Sequence, residues 1–173
     1  MKKRRVKTAV KEEPRQSRFW PYGWTLFAVL LLLDQWTKWY FVSNYTAGES
    51  HKIFPWLWFT YVQNTGTLWG LFSGANANIS FLWISVIAFG LLMFFYDQFR
   101  TVLEKISYTL ILAGLWGNLL DRGVQGFVVD FIDLGWWPVF NIADSAIVVG
   151  ILIMLLEQFR NPASSPASRK PRQ

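Results

Sequence analysis

The sequence predicts an all-α integral membrane protein with four transmembrane helices and a small extracytoplasmic β-rich loop on the membrane surface. Three observations predict it. Four long apolar runs are separated by short polar stretches, as a bilayer rather than a soluble core requires. Basic residues gather in both tails and in the loop between the second and third runs. The loop between the first and second runs carries a stretch of aromatic and β-branched residues bounded by turn formers.

The first 18 residues are polar and basic, with Lys2, Lys3, Arg4, Arg5, Lys7 and Lys11, and read as a disordered arm facing anionic lipid. The membrane domain is expected over 19–160, and a second disordered basic tail over 161–173, rich in Pro, Ser, Arg and Lys. The apolar runs are Trp20–Val42, Ile79–Phe95, about Ile106–Leu120, and Val139–Phe159. A span needs about 20 residues, so the two middle runs borrow from their flanks. The first run is too long for the apolar region of a secretory signal and has no small-residue cleavage site behind it, so it reads as an uncleaved anchor. In the first loop, Ile53–Asn64 (IFPWLWFTYVQN) predicts a small sheet, followed by Gly66, Gly70 and Gly74.

Orientation follows from the cations. The arm, the loop with Arg100 and Lys105, and the tail are basic, whereas the other two loops carry only Lys52 and Arg122. Both termini are therefore expected in the cytoplasm and the two longer loops outside. Trp20, Trp24, Trp39, Trp136 and Trp137 fall where interfacial aromatic belts form.

Composition narrows the chemistry. Hydrophobic residues make up 53% and charged residues 16% of the chain, with 11 Trp and 15 Phe, more apolar mass than a soluble domain of this size needs. The absence of Cys excludes disulfides, zinc-thiolate sites and thiol nucleophiles, and the single His51 argues against a His-based metal site or a Ser-His triad. The net charge of +6 lies mostly in the tails and beside apolar runs, so it points to lipid and not to nucleic acid.

Depth then separates the polar residues. At 1.5 Å per residue Asp34 lies about 12 Å, and Asp144 about 6–8 Å, below the outer ends of their helices. Asn118 and Asp121 close the third helix on the same side, with Asp130 in the loop beyond. Asp34 with Lys38, Asn118 with Asp121 and Arg122, and Asn141 with Asp144 pair at helical spacing. Charges at membrane depth cost several kcal/mol, so such residues turn inward and mark a site, here one polar cavity opening outward. Two carboxylates sharing such a cavity cannot both ionise; the ionised one can activate water while the protonated one polarises a carbonyl. The same residues admit other readings. Asp130 and Asp144 could be a structural pair bridged to Arg122 and Lys38, and Asp121 and Arg122 could merely end a helix. Asp133 and His51 read as solvated loop residues, and Glu157 as a cytoplasmic interfacial charge without a role. A small transporter would also hold intramembrane Asp, Asn and Arg, but would need polar residues along its whole path. A non-enzymatic assembly subunit would explain the tails and aromatics without requiring converging polar faces.

Five stretches taken together resemble the lipoprotein signal peptidases, the signal peptidase II family: Asp34-Gln35-Trp36-Thr37-Lys38, Asn64-Thr65-Gly66, Gly117-Asn118-Leu119-Leu120-Asp121-Arg122, Val129-Asp130-Phe131 and Phe140-Asn141-Ile142-Ala143-Asp144. They stand in the family's order across residues 34–144. The resemblance implies an aspartic endopeptidase with Asp130 and Asp144 as the catalytic pair, and Asp34, Lys38, Asn64, Asn118, Asp121, Arg122 and Asn141 shaping or supporting the site. It implies a bacterial inner-membrane enzyme, without metal or cofactor, that cleaves prelipoprotein signal peptides just before a diacylglyceryl-modified Cys. A globomycin-type cyclic peptide is the inhibitor expected of the family. Thr67, Leu68 and Trp69 stand where the family usually has small residues and then Phe, and Trp116 replaces a usually smaller residue. These swaps bear on pocket shape and inhibitor fit.

Overall fold

The computed structural model of the protein describes residues 21–66, 75–96, 99 and 101–160. Along them run α1 (Pro21–Asn44), β1 (Ser50–Phe54), β2 (Leu57–Asn64), α2 (Ala75–Phe94), α3 (Val102–Val124), β3 (Val128–Asp133) and α4 (Ile142–Arg160). The basic arm over 1–18, the tail over 161–173, Trp20, Gly70, Gly74 and Arg100 lie outside the described residues.

Each apolar run is a helix, and local chemistry explains where the boundaries differ from the apolar pattern. α3 starts before the expected Ile106 because Thr101 and Glu104 form a capping box. Thr101 Oγ1 accepts from Glu104 N at 3.1 Å, and the Glu104 carboxylate accepts from Thr101 N at 2.9 Å. Ser107 and Thr109 are tolerated inside α3 because their hydroxyls donate to carbonyls one turn back, at 2.7 Å to Leu103 and 2.8 Å to Lys105. α4 starts at Ile142 rather than Val139 because Asn141 caps it: Asn141 Oδ1 accepts from Asp144 N at 2.9 Å. The preceding Phe140 is drawn into a bridge with Ile132 of β3.

The surface is inverted relative to a water-soluble fold. Trp24, Leu32, Trp36 and Trp39 on α1, Trp83, Ile84 and Ile87 on α2, and Val148, Leu152 and Leu156 on α4 are exposed. A continuous apolar exterior of this kind needs an apolar solvent or partner. α4 is the one helix among the described residues that is long and apolar enough to cross a membrane by the combined length and composition test. α3 packs on α4 through small residues: a side chain at Gly114 would strike Ala143 and Ile147, and one at Gly150 would strike Ile111 and the Ser107 carbonyl.

The sheet is antiparallel in the order β1-β2-β3. Ile53–Asn64 predicts a small sheet, and it falls in the β1–β2 hairpin. β3 was not expected: the Val129-Asp130-Phe131 stretch, read as loop, is the third strand, with Asp130 opposite Val62 and Val128 opposite Asn64. The two outer loops thus form one sheet. Phe41 of α1 stacks on Phe131 at 4.4 Å and, with Tyr61 and Val129, forms the buried core that fastens the sheet to α1.

Three bland assignments gain detail. Asp133 is no free loop charge; it ends β3, half-buried, and accepts from Thr60 Oγ1 and Gly135 N, both at 2.8 Å. His51 is exposed as expected, but sits on β1 with its ring 2.6 Å from Glu49. Glu157, near the end of α4, is buried against the protein.

Candidate active site

Most of the polar residues singled out by depth converge at one end of the helices. Asp34, Lys38, Asn118, Asp121, Asp130 and Asn141 are all buried. α1 brings Asp34 and Lys38 as an i, i+4 pair, with Lys38 Nζ 2.8 Å from Asp34 Oδ2. The same ammonium lies 2.8 Å from Asp121 Oδ2 and donates to Asn118 Oδ1 at 3.0 Å, both on α3. Its three N–H donors are thereby matched by three acceptors.

Asp130 and Asp144 are joined through asparagines. Asn141 Nδ2 donates to Asp130 Oδ1 at 2.7 Å, while Asn141 N donates to Asp144 Oδ2 at 3.2 Å. Asn64 Nδ2 donates to the other Asp130 oxygen at 2.8 Å, and Asn118 Nδ2 to Asp144 Oδ1 at 2.8 Å. Each of the four carboxylate oxygens therefore accepts an N–H. Neither carboxylate forms an ion pair with Lys38 or Arg122 among the described residues, so the bridged structural pair is not what these residues make.

Each of the three asparagines around the pair is oriented by a donor at its carbonyl end. Gly66 N donates to Asn64 Oδ1 at 2.8 Å, Lys38 Nζ to Asn118 Oδ1, and Asp144 N to Asn141 Oδ1. Gly66 turns at φ 96°, a left-handed conformation that glycine adopts without strain, and lies against the Phe81 ring with no room for a side chain.

Asp130, on the strand and outside the helices, has its pKa pushed up to about 7. Burial is the main cause, and the negative charge of Asp144 adds to it. The N–H donors of Asn64 and Asn141 and the charge of Lys38 pull the other way without prevailing.

Arg122, in the last turn of α3, reaches the Asn118 carbonyl at 3.4 Å and lies over the Phe81 ring, 5.7 Å from its centre. Its buried Nε has no hydrogen-bond partner among the described residues. Trp116 turns from the polar cluster and packs on Phe89 of α2 at 5.0 Å. Thr67, Leu68 and Trp69 lie outside the described residues. No group of three or more His, Cys, Asp or Glu side chains is gathered as for a metal ion among the described residues.

Sequence reasoning missed Gln35. Its Nε2 donates to Asp121 Oδ1 at 3.0 Å, Asp34 Oδ2 at 3.2 Å and the Gly117 carbonyl at 3.3 Å. Its place inside the Asp34–Lys38 turn was the available signal. For β3 the sequence offered only the short Val128–Ile132 run, apolar but for Asp130, which in a loop does not by itself mark a strand.

The comparisons with known proteins agree with one another. The family model described as signal peptidase (SPase) II matches residues 26–160. The lipoprotein signal peptidase of Syntrophomonas wolfei subsp. wolfei is 40% identical over 134 residues, covering 77% of this chain and 89% of that protein. That of Thermodesulfovibrio yellowstonii is 37% identical over 136 residues, covering 76% and 90%. A solved bacterial membrane enzyme, determined by the in meso method at 2.3 Å resolution, superposes with a TM-score of 0.76 at 26% identity, covering 90% of this chain and 96% of its own. A second, at 1.9 Å resolution, gives a TM-score of 0.73 at 29% identity, covering 80% and 93%.

Proposed function

The chain belongs to the signal peptidase II family, and from that membership and the geometry around Asp130 we propose that it is an intramembrane aspartic endopeptidase acting on prelipoproteins. The observation that carries the reading is the pair of carboxylates bridged by Asn141, with Asp130 buried and its pKa raised to about 7. Asp144 takes a proton from water as the hydroxyl attacks the scissile carbonyl, and Asp130 gives its proton to the carbonyl oxygen. Collapse of the tetrahedral intermediate breaks the C–N bond. The proton gathered by Asp144 passes to the leaving amine, and Asp130 recovers its own from the collapsing diol. Hydrolysis is thus balanced by one water, with no cofactor. Arg122 Nε offers a buried donor to the substrate backbone. Asp34, Lys38, Asn64, Asn118, Asp121 and Asn141 shape and hold the pair.

The substrate of this reading is a signal peptide ending at a diacylglyceryl-modified Cys, cut just before that residue. Four spans place both termini in the cytoplasm and the site near the outer face of a bacterial inner membrane. The 19–160 unit is the membrane peptidase domain, with cytoplasmic basic segments over 1–18 and 161–173. Phe54 and Trp56 at the hairpin tip, and Trp136 and Trp137 beyond β3, are exposed at the same end of the sheet, as a sheet resting on the lipid interface requires. The apolar length between the polar ends argues against a transport path: α4 carries no charge between Asp144 and Glu157, and α3 none between Lys105 and Asn118. A globomycin-type cyclic peptide is the inhibitor this reading expects.

Asp130→Asn and Asp144→Asn test it. Each variant should insert and fold but lose cleavage of a lipidated lipobox peptide by at least about 100-fold, since general acid or base catalysis contributes about 10²–10⁴. Activity retained in either would remove that residue from the mechanism.

A further inference from the structure

Resting on that reading of Asp130 and Asp144, we propose that Lys38 is a positioning residue for the reaction. With Asp34 and Asp121 it forms a buried clamp that holds the two chain segments bearing the carboxylates in register with each other. The two acidic partners of Lys38 have parallel second contacts. Asp34 Oδ1 accepts from the backbone N of Ala143 at 2.9 Å, and Asp121 Oδ2 accepts from the backbone N of Val129 at 3.3 Å. Ala143 immediately precedes Asp144, and Val129 immediately precedes Asp130. Each arm of the clamp thus ends on the backbone N–H of the residue that precedes one of the pair.

The third ammonium proton reaches the pair by another route. By donating to Asn118 Oδ1, beside Asn141 Nδ2 at 3.1 Å, Lys38 helps to fix which end of that amide faces Asp144. With the carbonyl end held, Nδ2 is presented to Asp144 Oδ1. Gln35 closes the clamp from above, spanning Asp34 and Asp121 with one amide nitrogen. Gly117 makes room for it: a Cβ there would lie 2.5 Å from Asp34 Oδ2. Lys38 itself contacts neither carboxylate of the pair, so it acts through Asp34, Asp121 and Asn118.

Charge is part of the device. Two carboxylates buried face to face repel, and removing the ammonium leaves both uncompensated. The charged groups around the pair are Asp34 and Lys38 on α1 and Asp121 and Arg122 on α3, while β2 contributes the neutral Asn64. Lys38 favours the ionised form of Asp130, so its loss raises the pH at which Asp130 gives up its proton.

The test uses the full-length protein in lipid or detergent and a lipidated lipobox peptide, with Lys38→Met and Asp121→Asn assayed across pH. Lys38→Met keeps the aliphatic stem. It should lower kcat about 100-fold, the cost of a displacement near 1 Å at a reacting group, with KM little changed. Its alkaline limb should move to higher pH. Asp121→Asn removes a negative charge and keeps an acceptor for the ammonium. It should lower kcat by a smaller factor and move that limb to lower pH. If Lys38→Met does not accumulate in the membrane, Asp121→Asn carries the test alone through the direction of its limb. A raised KM at unchanged kcat would make Lys38 a substrate contact, and a fall in kcat with both limbs unmoved would reduce the clamp to general support; either overturns the proposal. Asp130→Asn and Asp144→Asn run in parallel: activity there defeats the underlying reading, whereas their inactivity beside a normal Lys38→Met defeats the clamp alone.

Discussion

At the scale of single residues the site is a problem in amide orientation. An asparagine can help a carboxylate only with its NH₂ end, and a half-turn of the amide would set oxygen against oxygen. Asn64, Asn118 and Asn141 each have the carbonyl end occupied by a fixed donor, from Gly66, Lys38 and Asp144 respectively. The amides are therefore preset for the carboxylates before any substrate arrives, which is what a site that must not reorganise during reaction requires. The identities of these residues were legible in the sequence, because polar groups at membrane depth are costly and need a reason. Their partners were not: Gln35 and Asp133 find theirs 86 and 73 residues away, through a register that no local pattern encodes. The same scale governs pH. If Asp130 acts as the protonated member, activity falls as pH rises through its raised value of about 7. A kcat profile flat to pH 9 would contradict that role.

At the scale of elements, the positions of the two carboxylates depend on how a strand and a helix begin. Asp130 is held by β2–β3 pairing, and Asp144 by the first turn of α4, where Asn141 and Asp144 satisfy each other's backbone N–H groups as a capping box does. Phe140 links the two by exchanging backbone hydrogen bonds with Ile132 at 2.7 and 3.0 Å. The four helices were legible as apolar runs and Asn141–Asp144 as a helical spacing, whereas the Thr101–Glu104 cap starts α3 ahead of the apolar run. The third strand was not legible, since a short run in a loop shows its character only when another strand lies beside it. Phe41 is the fastening between α1 and this sheet, 4.4 Å from Phe131 and 5.4 Å from Phe59. Phe41→Ala should cost about 3–5 kcal/mol, as large-to-small changes at buried aromatics do. Unfolding in mild detergent checks this, and a cost below about 1 kcal/mol would mean the sheet is held elsewhere.

At the scale of the whole molecule, polar and apolar have changed places. Aromatic and aliphatic side chains cover the outside, and a connected set of Asp, Asn, Gln and Lys fills one end of the inside. This arrangement is stable only where the solvent is lipid, and there the buried polar groups must satisfy one another. On the proposed four-span topology, with both termini cytoplasmic, that end faces outward, and reporters fused after Gln173 should read cytoplasmic and those near Gly48 and Gly126 external. An external C-terminus would turn the site to the wrong side. The proposed function puts the C-terminal end of a spanning signal peptide at that depth, with lipid on the residue after the scissile bond holding the peptide at the level of Asp130 and Asp144.

The most direct measurement gives the purified protein two peptides that differ only in whether the lipobox Cys carries diacylglyceryl, in the presence of EDTA, and follows both by mass spectrometry. Each buried CH₂ of the acyl chains is worth about 0.8 kcal/mol, so the lipidated peptide should be cut just before its Cys at least about tenfold faster than the bare one. Equal rates would contradict lipid anchoring, and loss of cleavage in EDTA would contradict a mechanism resting on two aspartates alone.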